Sequence, residues 1–179
     1  MKKQWIPLAI VIVIVSVIVY QNISRKADSS AQQAEELPKV GFKAPSFTLQ
    51  SLDGKTYVMP TPDNKPVVVN FWASWCGPCR LEAPELVKIY KKYQGNIEIY
   101  AVNLTSQDSP KEAKAFADSF GFTFPVLLDN NKNFQVSDLY QVQAIPTTYF
   151  IDKNGLIVDK VAGYTDPQTL EKKFRNLQK

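Results

Sequence analysis

The chain contains two cysteines, Cys76 and Cys79, which lie three positions apart in the run Trp-Cys-Gly-Pro-Cys at residues 75–79. If the pair opens a helix, the unpaired N–H groups and the helix dipole there favour negative charge. The Cys76 thiol is then expected to ionise below the ordinary ~8.5. Cys79 would lie one turn further along the same face, where its thiol can attack a mixed disulfide formed at Cys76. The spacing therefore predicts thiol–disulfide exchange, with Cys76 as the attacking thiol and Cys79 as the resolving thiol.

Two other interpretations of the pair are a structural disulfide and half of a zinc site. A disulfide that closes so short a loop would constrain the unfolded chain very little. A zinc site needs more ligands than one CxxC pair supplies, and the chain has no histidine and no third cysteine. Redox chemistry is therefore favoured, and the sequence predicts neither a metal nor a cofactor.

The cysteines follow a predicted strand and precede a predicted helix. Residues 67–72 are almost continuously apolar, as expected of a strand buried on both faces. Pro78 suits a first helical turn, and the apolar spacing that follows predicts a helix to about Tyr93, in which Pro84 predicts a kink.

Alternating strand and helix signals continue along the rest of the chain, with glycine, proline and capping residues between them. The predicted elements are a hairpin around Asp53-Gly54, a strand at 97–104, a helix from Pro110 to about Phe120, a short strand at 124–128, a short helix near 134–140, a hairpin of 148–152 with 156–161, and a final helix opened by Asp166-Pro167. This order predicts an α/β fold with a mixed central sheet and helices on both faces.

The N-terminus predicts a membrane segment. Lys2 and Lys3 precede the run Trp5 to Tyr20, which carries no charge and is mostly Ile, Val or Leu. Sixteen residues would rise about 24 Å as a helix, somewhat short of the ~20 residues that a span prefers, so a cleaved signal peptide is the competing interpretation. No small-x-small site directly follows the run, which favours an uncleaved signal anchor. We expect an anchor at 1–23, a polar linker at 24–37 and one compact domain at 38–179, exported beyond a single-pass anchor in the cell membrane.

Charge argues against nucleic-acid binding. From residue 38 onward the chain has 17 Lys and Arg against 14 Asp and Glu, a surplus that is small and dispersed.

Two motifs in the predicted domain resemble a known family. The run Val67 to Cys79 resembles the active-site strand and turn of the thioredoxin superfamily, and Ala144 to Thr148 resembles the cis-proline loop of that superfamily. From about Pro38 onward the chain is most similar to the ResA/TlpA-like group of membrane-tethered, extracytoplasmic thiol-disulfide oxidoreductases. The resemblance implies a thioredoxin-like fold with an N-terminal β-hairpin and a strand-helix insertion before Pro146.

The resemblance also implies roles for residues around the cysteines. A cis Ile145-Pro146 bond would expose the backbone of Ile145 for strand-like pairing with substrate, and Trp75 would offer a flat apolar contact. Glu82 lies three positions after Cys79, and its spacing is compatible equally with an ordinary solvated glutamate and with an acceptor for the Cys79 proton. The resemblance favours the acceptor.

Asn70 departs from the thioredoxin pattern, because many thioredoxins have a buried aspartate at the matching position. The thioredoxin route for deprotonating Cys79 therefore cannot operate there, which increases the expected importance of Glu82 or leaves water as the acceptor.

The function implied is that of a monomeric reductase of disulfides in exported proteins, with apocytochrome c cysteines as the first substrate to consider and a membrane thiol shuttle of the DsbD/CcdA kind as electron donor. An oxidant that introduces disulfides and a non-enzymatic, membrane-tethered binding or chaperone module are the alternatives. Residues 41–49 also resemble the N-terminal hairpin of peroxiredoxins. Those enzymes use a lone peroxidatic cysteine, and the CxxC pair therefore argues against peroxidase chemistry.

Overall fold

The computed structural model describes residues 14–19, 35–131 and 135–178. The chain divides into two compact units, Met1–Glu35 and Glu36–Lys179. In the first unit, residues 14–19 are helical, and the rest of the predicted anchor and most of the predicted linker lie outside the described residues. Among the residues that are described, no helix has the length and the apolar character needed to cross a membrane. The anchor and the domain boundaries therefore stay predictions.

The second unit is built on a five-stranded mixed sheet with the strand order β5-β4-β3-β6-β7. Its strands are β3 (Val67–Trp72), β4 (Glu98–Asn103), β5 (Val126–Leu128), β6 (Thr147–Ile151) and β7 (Ile157–Ala162). Strand β3 pairs in parallel with β4 and antiparallel with β6, so it occupies the centre of the sheet. All six of its residues are buried, as its apolar run predicted.

A separate antiparallel hairpin precedes the sheet and consists of β1 (Phe47–Gln50) and β2 (Thr56–Met59). Gly54 lies in the turn with a φ of 80°, a backbone conformation that glycine adopts without the steric cost of a side chain. The predicted N-terminal hairpin is therefore confirmed.

The described residues of this unit form four helices: α1 (Gly77–Tyr93), α2 (Pro110–Phe120), α3 (Val136–Leu139) and α4 (Pro167–Leu177). Ser109 and Asp166 cap α2 and α4, each through a side-chain oxygen that accepts a backbone N–H of the first turn. Gly121 ends α2 in the left-handed conformation. Helix α1 continues as one element through Pro84.

The alternation of residues along β3 divides the core into two clusters. Val68 and Trp72 pack with side chains of α1, α2 and α4, whereas Val67, Val69 and Phe71 pack with the β1–β2 hairpin and with residues of the α3 segment. One face of the sheet thus receives three helices of eleven or more residues, and the other receives the hairpin and a single helical turn. The prediction of helices on both faces is confirmed, but the second face is covered mainly by the hairpin.

Two predicted elements are shorter than expected. The strand at 124–128 begins only at Val126, and the helix near 134–140 is the four-residue α3. The mixed α/β fold otherwise follows the predicted order, with α1 beginning directly beyond the end of β3 and the Pro146 loop leading into the neighbouring strand β6.

Candidate active site

Cys76 and Cys79 are joined by a disulfide at the start of α1, with their Cα atoms 5.3 Å apart. Cys76 is the N-cap residue, and its Sγ accepts the backbone N–H of Cys79 at 3.1 Å. A sulfur that receives this N–H at a helix N-terminus is placed where negative charge is stabilised when the disulfide is opened. Both residues are buried, with 3 % and 4 % of their surface exposed. A substrate can therefore reach the pair only through this small exposed part.

The loop that leads into β6 lies against Cys76. The Ile145-Pro146 peptide bond is cis, as the resemblance implied. The carbonyl oxygen of Ile145 lies 3.7 Å from Cys76 Sγ. Pro146 is fixed in turn because its carbonyl accepts the N–H of Gly163 at 2.7 Å. The structure therefore brings the two sequence motifs, about seventy residues apart, into direct contact.

Trp75 presents an indole beside the disulfide. It is 59 % exposed, an unusual fraction for so large an apolar side chain, and its Nε1–H donates to the carbonyl of Gln107 at 3.0 Å. Leu81 and Tyr164 are also exposed apolar residues. The indole of Trp75 is thus exposed and at the same time fixed by a hydrogen bond. Trp72, in the buried strand β3, is only 2 % exposed.

Glu82 is a buried carboxylate on the inner face of α1. It is only 1 % exposed, so the interpretation as a solvated helix glutamate is wrong. Its Oε1 accepts the backbone N–H of Thr165 at 3.1 Å, and its Oε2 accepts Nδ2 of Asn70 at 3.3 Å. Burial disfavours the charged form and outweighs these two donors, which raises the pKa of Glu82 to about 7. A carboxyl group with that pKa can exchange a proton near neutral pH.

Asn70 orients this carboxylate. The Asn70 side chain is buried in β3, and its Nδ2 donates both to Glu82 and to Oγ1 of Thr148 on the adjacent strand, the latter at 2.9 Å. The amide therefore bonds to side chains rather than to the strand backbone. It gives Glu82 a donor where a second carboxylate would repel it.

A further polar residue next to the site has no counterpart in the sequence analysis. Asp108, in the loop between β4 and α2, accepts hydrogen bonds from the backbone N–H and the hydroxyl of Ser74, both at 2.7 Å. Ser74 lies two positions before Cys76, but 34 residues separate it from Asp108. No periodicity or local motif signals such a pair.

The described residues contain no group of three or more His, Cys, Asp or Glu side chains arranged to hold a metal ion. A cavity of about 810 Å³ is lined by residues such as Pro66, Asn96 and Leu177, at the end of the sheet where β3 begins. It is therefore remote from the disulfide, which lies beyond the end of β3. The chemistry of the site therefore belongs to the disulfide and the groups around it, and not to this cavity.

The chain is similar in sequence and structure to known thioredoxin-like proteins and thiol-disulfide oxidoreductases. The thioredoxin-like protein YneN of Bacillus subtilis is 35 % identical over 97 % of this chain and 98 % of its own length. The thiol-disulfide oxidoreductase ResA of Oceanobacillus iheyensis is 34 % identical over 91 % of this chain and 83 % of its own length. The crystal structure of a putative thiol:disulfide interchange protein DsbE from Chlorobium tepidum superimposes with a TM-score of 0.71 at 31 % identity, covering 80 % of this chain and 100 % of that one.

A thioredoxin-like fold with a CxxC disulfide at a helix N-terminus, together with these relatives, defines a thiol-disulfide oxidoreductase of the ResA/DsbE type. Residues 40–160 match the model of the AhpC/TSA family, and the chain belongs to that family.

Proposed function

We propose that the protein is an extracytoplasmic reductase of protein disulfides that works as a monomer. The observation that carries the proposal is the position of Cys76 Sγ, at a helix N-terminus and 3.7 Å from the carbonyl of Ile145, with a buried carboxyl group of pKa about 7 at Glu82 on the same helix.

In the first step, the Cys76 thiolate of the reduced protein attacks one sulfur of a substrate disulfide. A bond forms between Cys76 Sγ and that sulfur, the substrate S–S bond breaks, and the other substrate sulfur leaves as a thiolate that takes up a proton. An extended substrate segment lies along Ile145 and Pro146, pairs with the backbone there as an added strand, and contacts the exposed indole of Trp75.

In the second step, Cys79 resolves the mixed disulfide. The ionised carboxyl group of Glu82 accepts the Cys79 thiol proton, directly or through a water molecule. The resulting thiolate attacks Cys76 Sγ and forms the Cys76–Cys79 disulfide. The substrate sulfur that was bonded to Cys76 leaves as a thiolate and takes up a proton. The substrate has gained two electrons and the protein has lost two.

A reductase in an oxidising compartment must be reduced again after each cycle. We assign that step to a membrane thiol shuttle of the DsbD/CcdA kind and place the protein at the cell membrane through the predicted anchor at 1–23. The Gly77-Pro78 dipeptide between the cysteines is the one that reducing thioredoxins carry, which favours this direction over oxidation. Apocytochrome c cysteines are the first substrates to test.

The equilibrium reduction potential of the full chain in detergent, titrated against thiol buffers, tests the direction. A value near the ~ −270 mV of thioredoxin or below supports a reductase, and one near the ~ −120 mV of DsbA makes the protein an oxidant. The double variant C76S/C79S is the control. If its activity in an assay of substrate maturation equals that of the unchanged protein, the non-enzymatic binding module replaces the proposal.

A further inference from the structure

The carboxylate of Asp108 accepts four hydrogen bonds from three residues. It accepts the N–H and hydroxyl of Ser74, Nδ2 of Asn103 at 2.8 Å and the N–H of Ser109 at 2.9 Å. Ser109 is its chain neighbour, but Ser74 and Asn103 follow β3 and end β4, respectively. Asp108 therefore ties the segment before the disulfide to the neighbouring strand.

These contacts are not explained by helix capping or by ion pairing. Ser109, not Asp108, caps α2, since its Oγ accepts the N–H of Glu112 at 3.1 Å. In the part of the chain that the structure describes, no Lys or Arg nitrogen pairs with Asp108. Partial burial disfavours the charged carboxylate, but the donors outweigh it and hold the pKa of Asp108 below its ordinary value. Asp108 is thus ionised at neutral pH, and charge-assisted hydrogen bonds of this kind are the stronger ones.

The same loop also reaches the next residue towards the disulfide. Gln107, the neighbour of Asp108, accepts the indole N–H of Trp75 through its carbonyl. Ser74 is held on its other side as well, because its carbonyl accepts Nη2 of Arg80 at 3.2 Å. Both residues that precede Cys76 are therefore fastened to parts of the chain outside their own segment.

We propose that Asp108 is a positioning residue: by holding Ser74 against its loop, it keeps the indole of Trp75 bonded to Gln107 and presents it beside Cys76 as a rigid contact for a protein substrate. An exposed indole without this hold would sample several rotamers, and ordering it on binding would weaken the complex. Asp108 thus acts on substrate affinity through Trp75. The inference rests on the proposed function and specifies how its substrate site is organised.

The variant D108N tests the inference, because an amide cannot accept from all of these donors and its NH₂ group faces at least one N–H donor at either oxygen position. The matched control is D118N, which removes a carboxylate from the last turn of α2 that is largely exposed and pairs with Lys114. The full chain in detergent, labelled with 5-fluorotryptophan, reports on Trp75 by ¹⁹F NMR, with the resonance assigned through W75F. We expect D108N to shift and broaden this resonance and D118N to leave it unchanged.

Kinetics supply the second readout, with insulin as the protein disulfide and oxidised glutathione as the small one. D108N is expected to raise KM for insulin by up to about tenfold, the factor that corresponds to ordering one side chain on binding, while kcat and the rate with glutathione change less than about twofold. On a W75A background, D108N should add nothing to the KM for insulin.

An unchanged Trp75 resonance, or an equal loss with both disulfides, would overturn the positioning role. If D108N does not fold, S74A removes one of the four hydrogen bonds while keeping the carboxylate, and the same shift of smaller size is expected. A wild-type protein that reduces neither disulfide would defeat the proposed function, whereas the ¹⁹F measurement would still decide for or against Asp108.

Discussion

Replacing Glu82 by glutamine should remove a pH-dependent destabilisation from the folded protein. The carboxyl group is 1 % exposed, and burial raises its pKa from 4.5 to about 7. The glutamine of the E82Q variant would keep the shape and a carbonyl oxygen for the N–H of Thr165, and it would never carry a charge. The variant therefore isolates the cost of ionising the buried carboxyl group.

The sign and size follow from proton linkage. Between pH 4.5 and 7 the folded protein holds the Glu82 proton while the unfolded chain loses it, so the wild-type stability falls as pH rises. Since each tenfold change corresponds to about 1.4 kcal/mol, this group lowers the free energy of unfolding by about 3 kcal/mol between pH 4 and pH 8. The stability of E82Q relative to wild type should rise by that amount over the same range.

Urea denaturation of the oxidised proteins, followed by circular dichroism at intervals of pH, measures this difference. The matched control is E85Q, one turn along α1, where the Glu85 side chain is 27 % exposed and pairs with Lys88. Its removal takes away no buried carboxyl group, so its stability relative to wild type should lack the rise. Parallel curves for wild type and E82Q from pH 4 to pH 8 would refute the argument that Glu82 stays protonated in the fold up to about neutral pH.

Three further predictions concern the site and its support. The variant C79S, reduced and mixed with insulin, should accumulate a mixed disulfide through Cys76 that mass spectrometry detects, whereas C76S should form none. N70D replaces the donor next to Glu82 by a second carboxylate, so the pKa of Glu82 should rise further above 7. ¹³C NMR of labelled carboxyl groups measures this pKa, and an unchanged value would contradict the role of the amide. Asp129 is fully buried and accepts the N–H groups of the first two residues of α3. D129A should therefore lower the free energy of unfolding, measured in urea, by about 3 kcal/mol, and a loss under about 1 kcal/mol would contradict this stabilising role.

Local patterns were sufficient for most elements of the domain. The apolar run at 67–72 predicted the central strand, and the helix predicted from Pro110 to about Phe120 is α2. The three-residue offset from Cys79 to Glu82 placed the carboxylate on the helical face of the thiol, although the spacing could not tell burial from solvation. Burial depended on the sheet beneath the helix and on the Thr165 loop, which the offset does not report.

Contacts between distant segments could not be predicted in this way. Asp108 meets Ser74 because β3 and β4 run in parallel and their following loops meet at one edge of the sheet. The one-turn length of α3 was also missed: the N–H of Ser137 in that turn is accepted by Asp129, which lies 8 residues earlier, directly after β5. A single aspartate in a polar loop carries no local sign of the donors that it will accept.

The loop between β7 and α4 joins the two residues to which we assign substrate contact and proton transfer, Pro146 and Glu82. In this loop the N–H of Gly163 bonds the carbonyl of Pro146 at 2.7 Å, and the N–H of Thr165 bonds Glu82 at 3.1 Å. The Thr165 bond favours the ionised carboxylate, so a movement that lengthens it raises the pKa of Glu82. If substrate binds along Pro146 as proposed, a substrate strand that displaces this proline would pull on the same loop through Gly163. Because the carboxyl group of Glu82 lies on α1 and bonds to Thr165, its proton affinity depends on the loop that also holds Pro146. A carboxylate on β3, at the position of Asn70, would not be linked to that loop by this bond.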